Sequence, residues 1–371
     1  MQIAIDGLLL TGKFTGVEKV VVGQMQALLS HKYARDIEFV IIVPQDTDIE
    51  GILNRSDFKI LRAPFNGGQK ARRVIWQQFK MGKELNDMGV EILYSPGYIS
   101  CYSFKGVKVT YIHDTIALKH PRLCTTHNAF NYRLLLPITA IISDFIAVPS
   151  ESSKSDVKKY LHVRPDVVGV VPLAPATPEL KYRPHPESRY LIAVSAIEPK
   201  KNFANLIRWY NHWREEGNID HKLYIVGNLG WKYESVIAEY NKSKYRNDIF
   251  LLGYQASIEV AKLVAGADLL LMPSLYEGFG LPVLEAMKVG TPVVSSDRGS
   301  LPELVEGAGV VLPLKDNVWH TEIPRLLNDR RRLKEMTRNG YKRVANYSWQ
   351  KIADDLYEIF AKSYQKKCKK K

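Results

Sequence analysis

Short apolar runs of strand length alternate with longer segments of helical spacing along the chain. Runs at residues 1–5, 39–43, 91–94, 107–112 and 142–148 form one series. After residue 180 the pattern restarts, with runs at 190–194, 223–226, 249–252, 269–272 and 291–295. Between the first runs lie helical patterns such as 16–29 and 72–85. Repeated strand-then-helix alternation predicts α/β architecture, with parallel sheets covered by helices on both faces. Two such series predict two Rossmann-like, doubly wound domains facing each other across a cleft, with ligands at the carboxyl ends of the strands.

The join between the series is visible. Val171-Pro-Leu-Ala-Pro-Ala-Thr-Pro178 carries three prolines and little periodicity, and Pro184 and Pro186 follow. This reads as an interdomain linker. The expected division is 1–172 for the first domain, 173–188 for the linker, 189–348 for the second domain and 349–371 for a final helix and tail. In that helix, from 349 to about 363, Trp349, Ile352, Ala353, Leu356 and Phe360 share one stripe, so it must pack against something.

Composition changes the picture in one respect only. With 46% hydrophobic and 25% charged residues, the 371-residue chain is excluded from disordered, collagenous and coiled-coil classes. No apolar run approaches the roughly 18 residues that a membrane span needs. The start, Met-Gln-Ile-Ala-Ile-Asp6, lacks a signal-peptide pattern, and three cysteines suit neither a metal site nor a disulfide framework. A cytoplasmic location is expected. The anomaly is a net charge of +13. Such a surface attracts nucleic acid, anionic lipid or phosphorylated small molecules. The tail Lys366-Lys-Cys-Lys-Lys-Lys371 is either part of that surface or a solvated terminus.

The most informative stretch is Ser274-Leu-Tyr-Glu277-Gly-Phe-Gly280-Leu-Pro282-Val-Leu-Glu285. An apolar strand breaks at Gly and opens a helix at Pro, which leaves backbone N–H groups at the sheet's carboxyl edge to hold an anion. With a helix over 282–289 and Gly290 beyond it, Val283, Leu284 and Met287 face the core, and Glu285 projects to the cleft or to water.

Other strand ends carry candidate chemistry. Val107-Lys-Val-Thr-Tyr-Ile-His113-Asp114 delivers a histidine and an aspartate to a carboxyl edge. His113 either contacts a substrate hydroxyl or is merely packed beside a helix-capping Asp114. Gly16, in the loop after the first strand, admits close approach of a phosphate, but the dinucleotide and Walker spacings are absent. Glu198-Pro-Lys200-Lys201-Asn202 follows a strand and presents two lysines suited to a diphosphate. Gly227-Asn228 and Gly253-Tyr254 end further strands and would wall a base and ribose. No Asp-x-Asp metal cluster is evident, so no metal or cofactor is expected, and lysines and amides must neutralise the diphosphate.

Collectively these residues resemble the retaining GT-B glycosyltransferases of family 4, marked by Glu-x7-Glu, here Glu277 to Glu285. The resemblance covers nearly the whole chain, including Gly16, Ile112-His113-Asp114, Glu198-Pro-Lys-Lys-Asn202, Val226-Gly227-Asn228, Pro273 to Pro282 and Gly290-Thr-Pro-Val-Val-Ser295. Within the group it is nearest in look to bacterial O-antigen and polysaccharide mannosyltransferases.

The resemblance implies that Glu277 contacts donor-sugar hydroxyls and that Glu285 holds the ribose. It implies that Phe279, Gly280 and Leu281 offer amides to the diphosphate and that Lys201 stabilises the leaving group. His113 would touch the sugar near its anomeric centre, and Gly16 would let its loop near the diphosphate. The final helix would cross back to the first domain. Many relatives carry an arginine where Ala196 stands, so Lys200 is the candidate second charge.

The implied reaction moves a hexose, mannose from GDP-mannose first, to a glycan or lipid-linked acceptor, with UDP-hexose or dTDP-rhamnose donors as alternatives. A dinucleotide-dependent oxidoreductase lacks its fingerprint here, and a nucleic-acid-binding protein lacks a recognised module. Nucleic acid is therefore not an expected partner. An anionic membrane surface is a possible one, with Arg72, Arg73, Trp76, Lys80 and Lys83 forming a patch on one helix; the alternative is a core-facing Trp76 and Phe79 with solvated lysines.

Overall fold

A computed structural model describes residues 1–12, 16–53, 57–177, 180 and 189–369. Most of the expected linker, part of the loop before Gly16 and the last two lysines lie outside the described residues. The chain divides into one unit of Met1–Leu173 with Ser348–Lys371, and a second of Ala174–Tyr347.

The first unit is built on strands β1 (Gln2–Asp6), β2 (Glu38–Pro44), β3 (Lys59–Ala63), β4 (Ile92–Ser95), β5 (Val107–Tyr111), β6 (Phe145–Val148) and β7 (Val168–Val170). They form one sheet in the order β3-β2-β1-β4-β5-β6-β7, and every pairing is parallel. Central strands β1, β4 and β5 are buried along their whole length, and in β5 the polar Lys108 and Thr110 are buried with their apolar neighbours.

Two expected elements differ. The run expected over 142–148 is interrupted: Ile142 ends the helix Thr126–Ile142, and the strand begins at Phe145. The helical pattern at 72–85 is two helices, Lys70–Phe79 and Met81–Asp87, which meet at Lys80. Trp76 is buried there against Phe65, their rings edge to face at 5.8 Å, so the tryptophan belongs to the core rather than to a surface patch. Phe79, by contrast, is exposed.

The helix Trp349–Cys368 packs on this first unit. Ile352, Ala353, Leu356 and Phe360 are buried, as their spacing requires. Tyr357 donates its hydroxyl to the Leu28 carbonyl at 2.8 Å, and His31 Nε2 lies 2.8 Å from Asp354 Oδ1. Gly23 has a steric reason: a Cβ there would sit 2.5 Å from the Trp349 ring.

The second unit carries β8 (Tyr190–Val194), β9 (Lys222–Val226), β10 (Ile249–Gly253), β11 (Leu269–Met272), β12 (Val293–Ser296) and β13 (Val310–Leu312). The sheet order is β10-β9-β8-β11-β12-β13, again all parallel. Trp213 and Trp319 are fully buried in its core, and Trp209 stacks on Trp319 at 4.6 Å. The strand order reverses between β8 and β11, the kind of position at which doubly wound sheets bind their ligands. Among the described residues, no helix is long and apolar enough to cross a membrane.

Candidate functional site

At the carboxyl end of β8 the chain passes through Ser195, Ala196 and Ile197 into a short 3-10 turn, Pro199–Lys201. Asn202 ends that turn in the left-handed region, at φ 63°, and opens the helix Phe203–Glu215. Asparagine tolerates this conformation better than most side chains. The reversal leaves Lys201 buried.

At the end of the adjacent β11, Pro273 and Ser274 lead into the turn that bears Glu277, also buried. Leu275 N–H donates to the Lys200 carbonyl at 2.7 Å and ties the two loops together. Lys201 Nζ then donates to Glu277 Oε1 at 2.6 Å, and Ser274 Oγ donates to the same oxygen at 2.7 Å. Both bonds land on Oε1.

Burial alone would raise the Glu277 pKa. The charges of Lys201 and Lys200, with the hydrogen bonds from Lys201 and Ser274, outweigh it and hold the carboxyl below its ordinary value. Glu198 behaves oppositely: burial raises its pKa despite Lys200 and Lys201 nearby. Lys200 Nζ sits 3.7 Å from Glu198 Oε2. Each lysine of the turn thus stands beside a carboxylate.

The Glu277 turn is clamped from behind by residues that the sequence reading did not single out. Ser300 N–H donates to the Glu277 carbonyl at 3.1 Å, and Ser300 Oγ donates to the Phe279 carbonyl at 2.6 Å. Gly299, at φ 60°, lies so close that a Cβ would be 2.2 Å from the Glu277 carbonyl oxygen. The readable signal was Gly299-Ser300 before Leu301-Pro302, a second glycine-then-proline helix start.

Gly280, with φ 105°, caps the helix Leu281–Lys288, and Pro282 lies in its first turn. That is the helix expected at 282–289, begun one residue earlier. Val283, Leu284 and Met287 are buried, Glu285 is only partly covered, and Gly290 follows at φ 83°. Phe279 is buried edge to face with Tyr347 at 6.0 Å. Lys200, Lys201, Glu277, Phe279, Gly280, Leu281 and Glu285 are therefore borne by two hydrogen-bonded loops and the helix start that follows them.

Gly227 and Asn228 adjoin this group for structural reasons. A Cβ on Gly227 would fall 2.1 Å from the Ser195 carbonyl oxygen, so glycine is required where the β9 end crosses the β8 loop. Asn228 accepts from Ile197 N–H at 2.8 Å, and the Gly253 carbonyl accepts from Gly227 N–H at 2.8 Å. Tyr254 is exposed at the rim.

His113 and Gly16 belong to the first unit. His113 follows β5 and is buried, its Nε2 2.7 Å from the Pro96 carbonyl oxygen. A carbonyl only accepts, so Nε2 carries the proton and Nδ1 keeps its lone pair. Burial pushes the His113 pKa down to about 4, so the ring is neutral near pH 7. Asp114 Oδ1 accepts from Ile116 N–H at 3.0 Å, but the N-cap of the helix Ile116–Lys119 is Thr115 and not Asp114, one residue later than the sequence pattern suggested. Gly16 opens the helix Gly16–Ser30, and among the described residues nothing lies within 4 Å of where a Cβ would sit. Among the described residues, no group of three or more His, Cys, Asp or Glu could hold a metal ion.

Residues 180–343 match the family described as "Glycosyl transferases group 1". This segment contains the whole Lys201–Glu277 arrangement. Over that segment the chain is similar to the group 1 glycosyl transferases, and its fold is GT-B.

The curated relatives of this chain include the MMP alpha-(1->4)-mannosyltransferase of Mycolicibacterium hassiacum. It is 32% identical over 220 residues, which are 58% of this chain and 53% of the relative. O-antigen chain mannosyltransferase B of Escherichia coli is 33% identical over 43% of this chain and 42% of its own length. The chain thus matches about half the length of these relatives or less. Among solved structures, sucrose-phosphate synthase from Thermosynechococcus elongatus superposes with a TM-score of 0.78 at 16% identity, over 98% of this chain and 99% of that one. Anabaena HepE, solved with UDP and glucose, gives 0.72 at 17% identity over 98% and 100%. These structural likenesses carry the fold, and the expected pair of doubly wound parallel sheets is found.

Proposed function

We propose that this chain is a glycosyltransferase that moves a hexose, mannose from GDP-mannose in the first instance, from a nucleotide diphosphate sugar to a glycan acceptor with retention of anomeric configuration. The observation that carries the reading is the buried Lys201–Glu277 contact at the strand-order reversal, directly before the helix start at Gly280. The mannosyltransferase names of two relatives support the choice of sugar.

In this scheme the diphosphate lies against the amides of Phe279, Gly280 and Leu281 at the positive end of the helix. Lys201 donates its remaining N–H groups to the leaving oxygen while still bonded to Glu277. Glu277 Oε2 accepts from a sugar hydroxyl, and Glu285 takes the ribose. Gly227, Asn228, Gly253 and Tyr254 line the nucleoside side. On the first unit, Gly16 admits close approach of a phosphate, and His113 Nδ1 accepts from a substrate hydroxyl.

The bond from the anomeric carbon to the diphosphate oxygen breaks, and the acceptor oxygen bonds to that carbon on the same face. The acceptor proton passes to the departing diphosphate. The carboxylates position and do not act as an acid–base pair. Charge is met by Lys201 and amides, with no metal ion in the step.

The acceptor is proposed to be a lipid-linked glycan of bacterial cell-surface polysaccharide assembly, presented at the cytoplasmic face of the membrane. The test is turnover with GDP-mannose, UDP-glucose and dTDP-rhamnose, with the product anomer read by NMR. Turnover of one donor that keeps its anomeric configuration and resists chelator is expected. Inversion, or no release of nucleoside diphosphate from any donor, would overturn the reading.

A further inference from the structure

The helix Thr126–Ile142 is apolar on two opposite faces, and only one of them is covered. Ala129, Leu136 and Ala140 are buried in the first unit, whereas Phe130, Leu134, Ile138 and Ile141 are 42–83% exposed. At about 100° per residue the exposed four fall within one stripe opposite the buried three. The surface extends beyond this helix. Ser100 N–H donates to Thr139 Oγ1 at 3.3 Å, while Gln78 Nε2 donates to the Ser100 carbonyl at 2.8 Å. The 100–106 loop therefore joins this helix to Lys70–Phe79, and Ile75, Phe79 and Tyr102 add side chains that are 60–67% exposed. Among the described residues, half of the fourteen exposed large hydrophobic side chains lie on these three segments. Scattered apolar residues need no explanation, but a cluster of this kind does.

Charge indicates the occupant. Segments 70–83, 100–106 and 126–142 contain seven Lys or Arg and no Asp or Glu. Arg72, Lys80, Lys83, Lys105 and Arg133 are exposed around the apolar side chains. A second copy would set this positive surface against itself, because a two-fold interface pairs a patch with its own image. An anionic bilayer matches both properties: headgroups take the basic rim, and the acyl boundary takes the aliphatic stripe. We propose that this face, centred on the helix Thr126–Ile142, lies in the surface of an anionic membrane. The apolar contribution of the Lys70–Phe79 helix is then Ile75 and Phe79 in place of the buried Trp76.

The full chain, without donor or acceptor, is sedimented with phosphatidylcholine vesicles with and without phosphatidylglycerol. Binding that requires phosphatidylglycerol and weakens with salt is expected. The exposed double variant Leu134→Glu/Ile141→Glu should bind about tenfold less with an unchanged melting temperature, and Lys80→Glu/Lys83→Glu should also bind less. Wild-type binding by Leu134→Glu/Ile141→Glu would overturn the proposal. So would indifference to anionic lipid, or a wild-type dimer that this variant makes monomeric while neither sediments. Because no sugar is transferred in the assay, its failure would leave the catalytic proposal standing.

Discussion

Lys201 and Glu277, 76 residues apart in sequence, share a buried hydrogen bond of 2.6 Å where β8 and β11 end side by side. Removing one partner leaves the other charge buried and unpaired, which costs about 3–5 kcal/mol. Lys201→Met should therefore lower stability by that order in denaturant unfolding of the full chain. Lys201→Met/Glu277→Gln should recover much of the loss. Simple additivity of the single variants would mean that the two groups do not interact as their geometry indicates.

The two glutamates should separate kinetically. Glu277→Ala removes a group proposed to hold the reacting sugar and should reduce kcat by roughly 100-fold or more. Glu285→Ala should mainly raise the donor KM, by about tenfold. Steady-state rates with a defined donor check both, and wild-type kinetics in either variant would remove that role.

Gly299 and Gly307 both occupy positive φ, at 60° and 76°, yet only Gly299 touches the site. At Gly307 a Cβ meets nothing within 4 Å, so Gly307→Ala should cost only the local strain of about 1 kcal/mol. Gly299→Ala must displace the Glu277 backbone and should lose most activity. Comparison of the two by melting temperature and turnover isolates that displacement.

The first unit holds two buried groups whose pH effects oppose each other. His113, with its pKa pushed down to about 4 from 6.5, binds its proton less readily when folded, so stability is full above pH 6.5 and falls toward pH 4. Asp6, raised by burial to about 6 from 3.8, favours the folded state below pH 3.8 and loses that advantage as pH rises to 6. Each effect is about 3 kcal/mol. Relative to wild type, His113→Asn should gain stability as pH falls from 6.5 to 4, and Asp6→Asn should gain it as pH rises from 4 to 6. Calorimetry across that range gives both differences; parallel curves would refute the assignment.

What the sequence disclosed follows from local chemistry. The helix at 281–288 was legible because Gly280, Pro282 and Gly290 fix its ends and Val283, Leu284 and Met287 its buried face. The unforeseen strands β3, β7 and β13 all lie at sheet edges. There, strands are short or carry charge, as in Lys-Ile-Leu-Arg-Ala. Glu198 followed by two lysines reads as a basic turn, and only the tertiary fold sets each lysine beside its carboxylate. Trp76 and Phe79 could not be sorted by composition either, because a helix with apolar residues on two faces does not announce which face is covered.

Calorimetric titration of nucleotide diphosphate sugars into wild type and Lys201→Gln tests the central claim most directly. One donor should bind wild type at a single site and bind Lys201→Gln at least about tenfold more weakly, as expected when a charge-assisted hydrogen bond is lost. Equal affinity in the two proteins, or no donor bound by wild type, would contradict it.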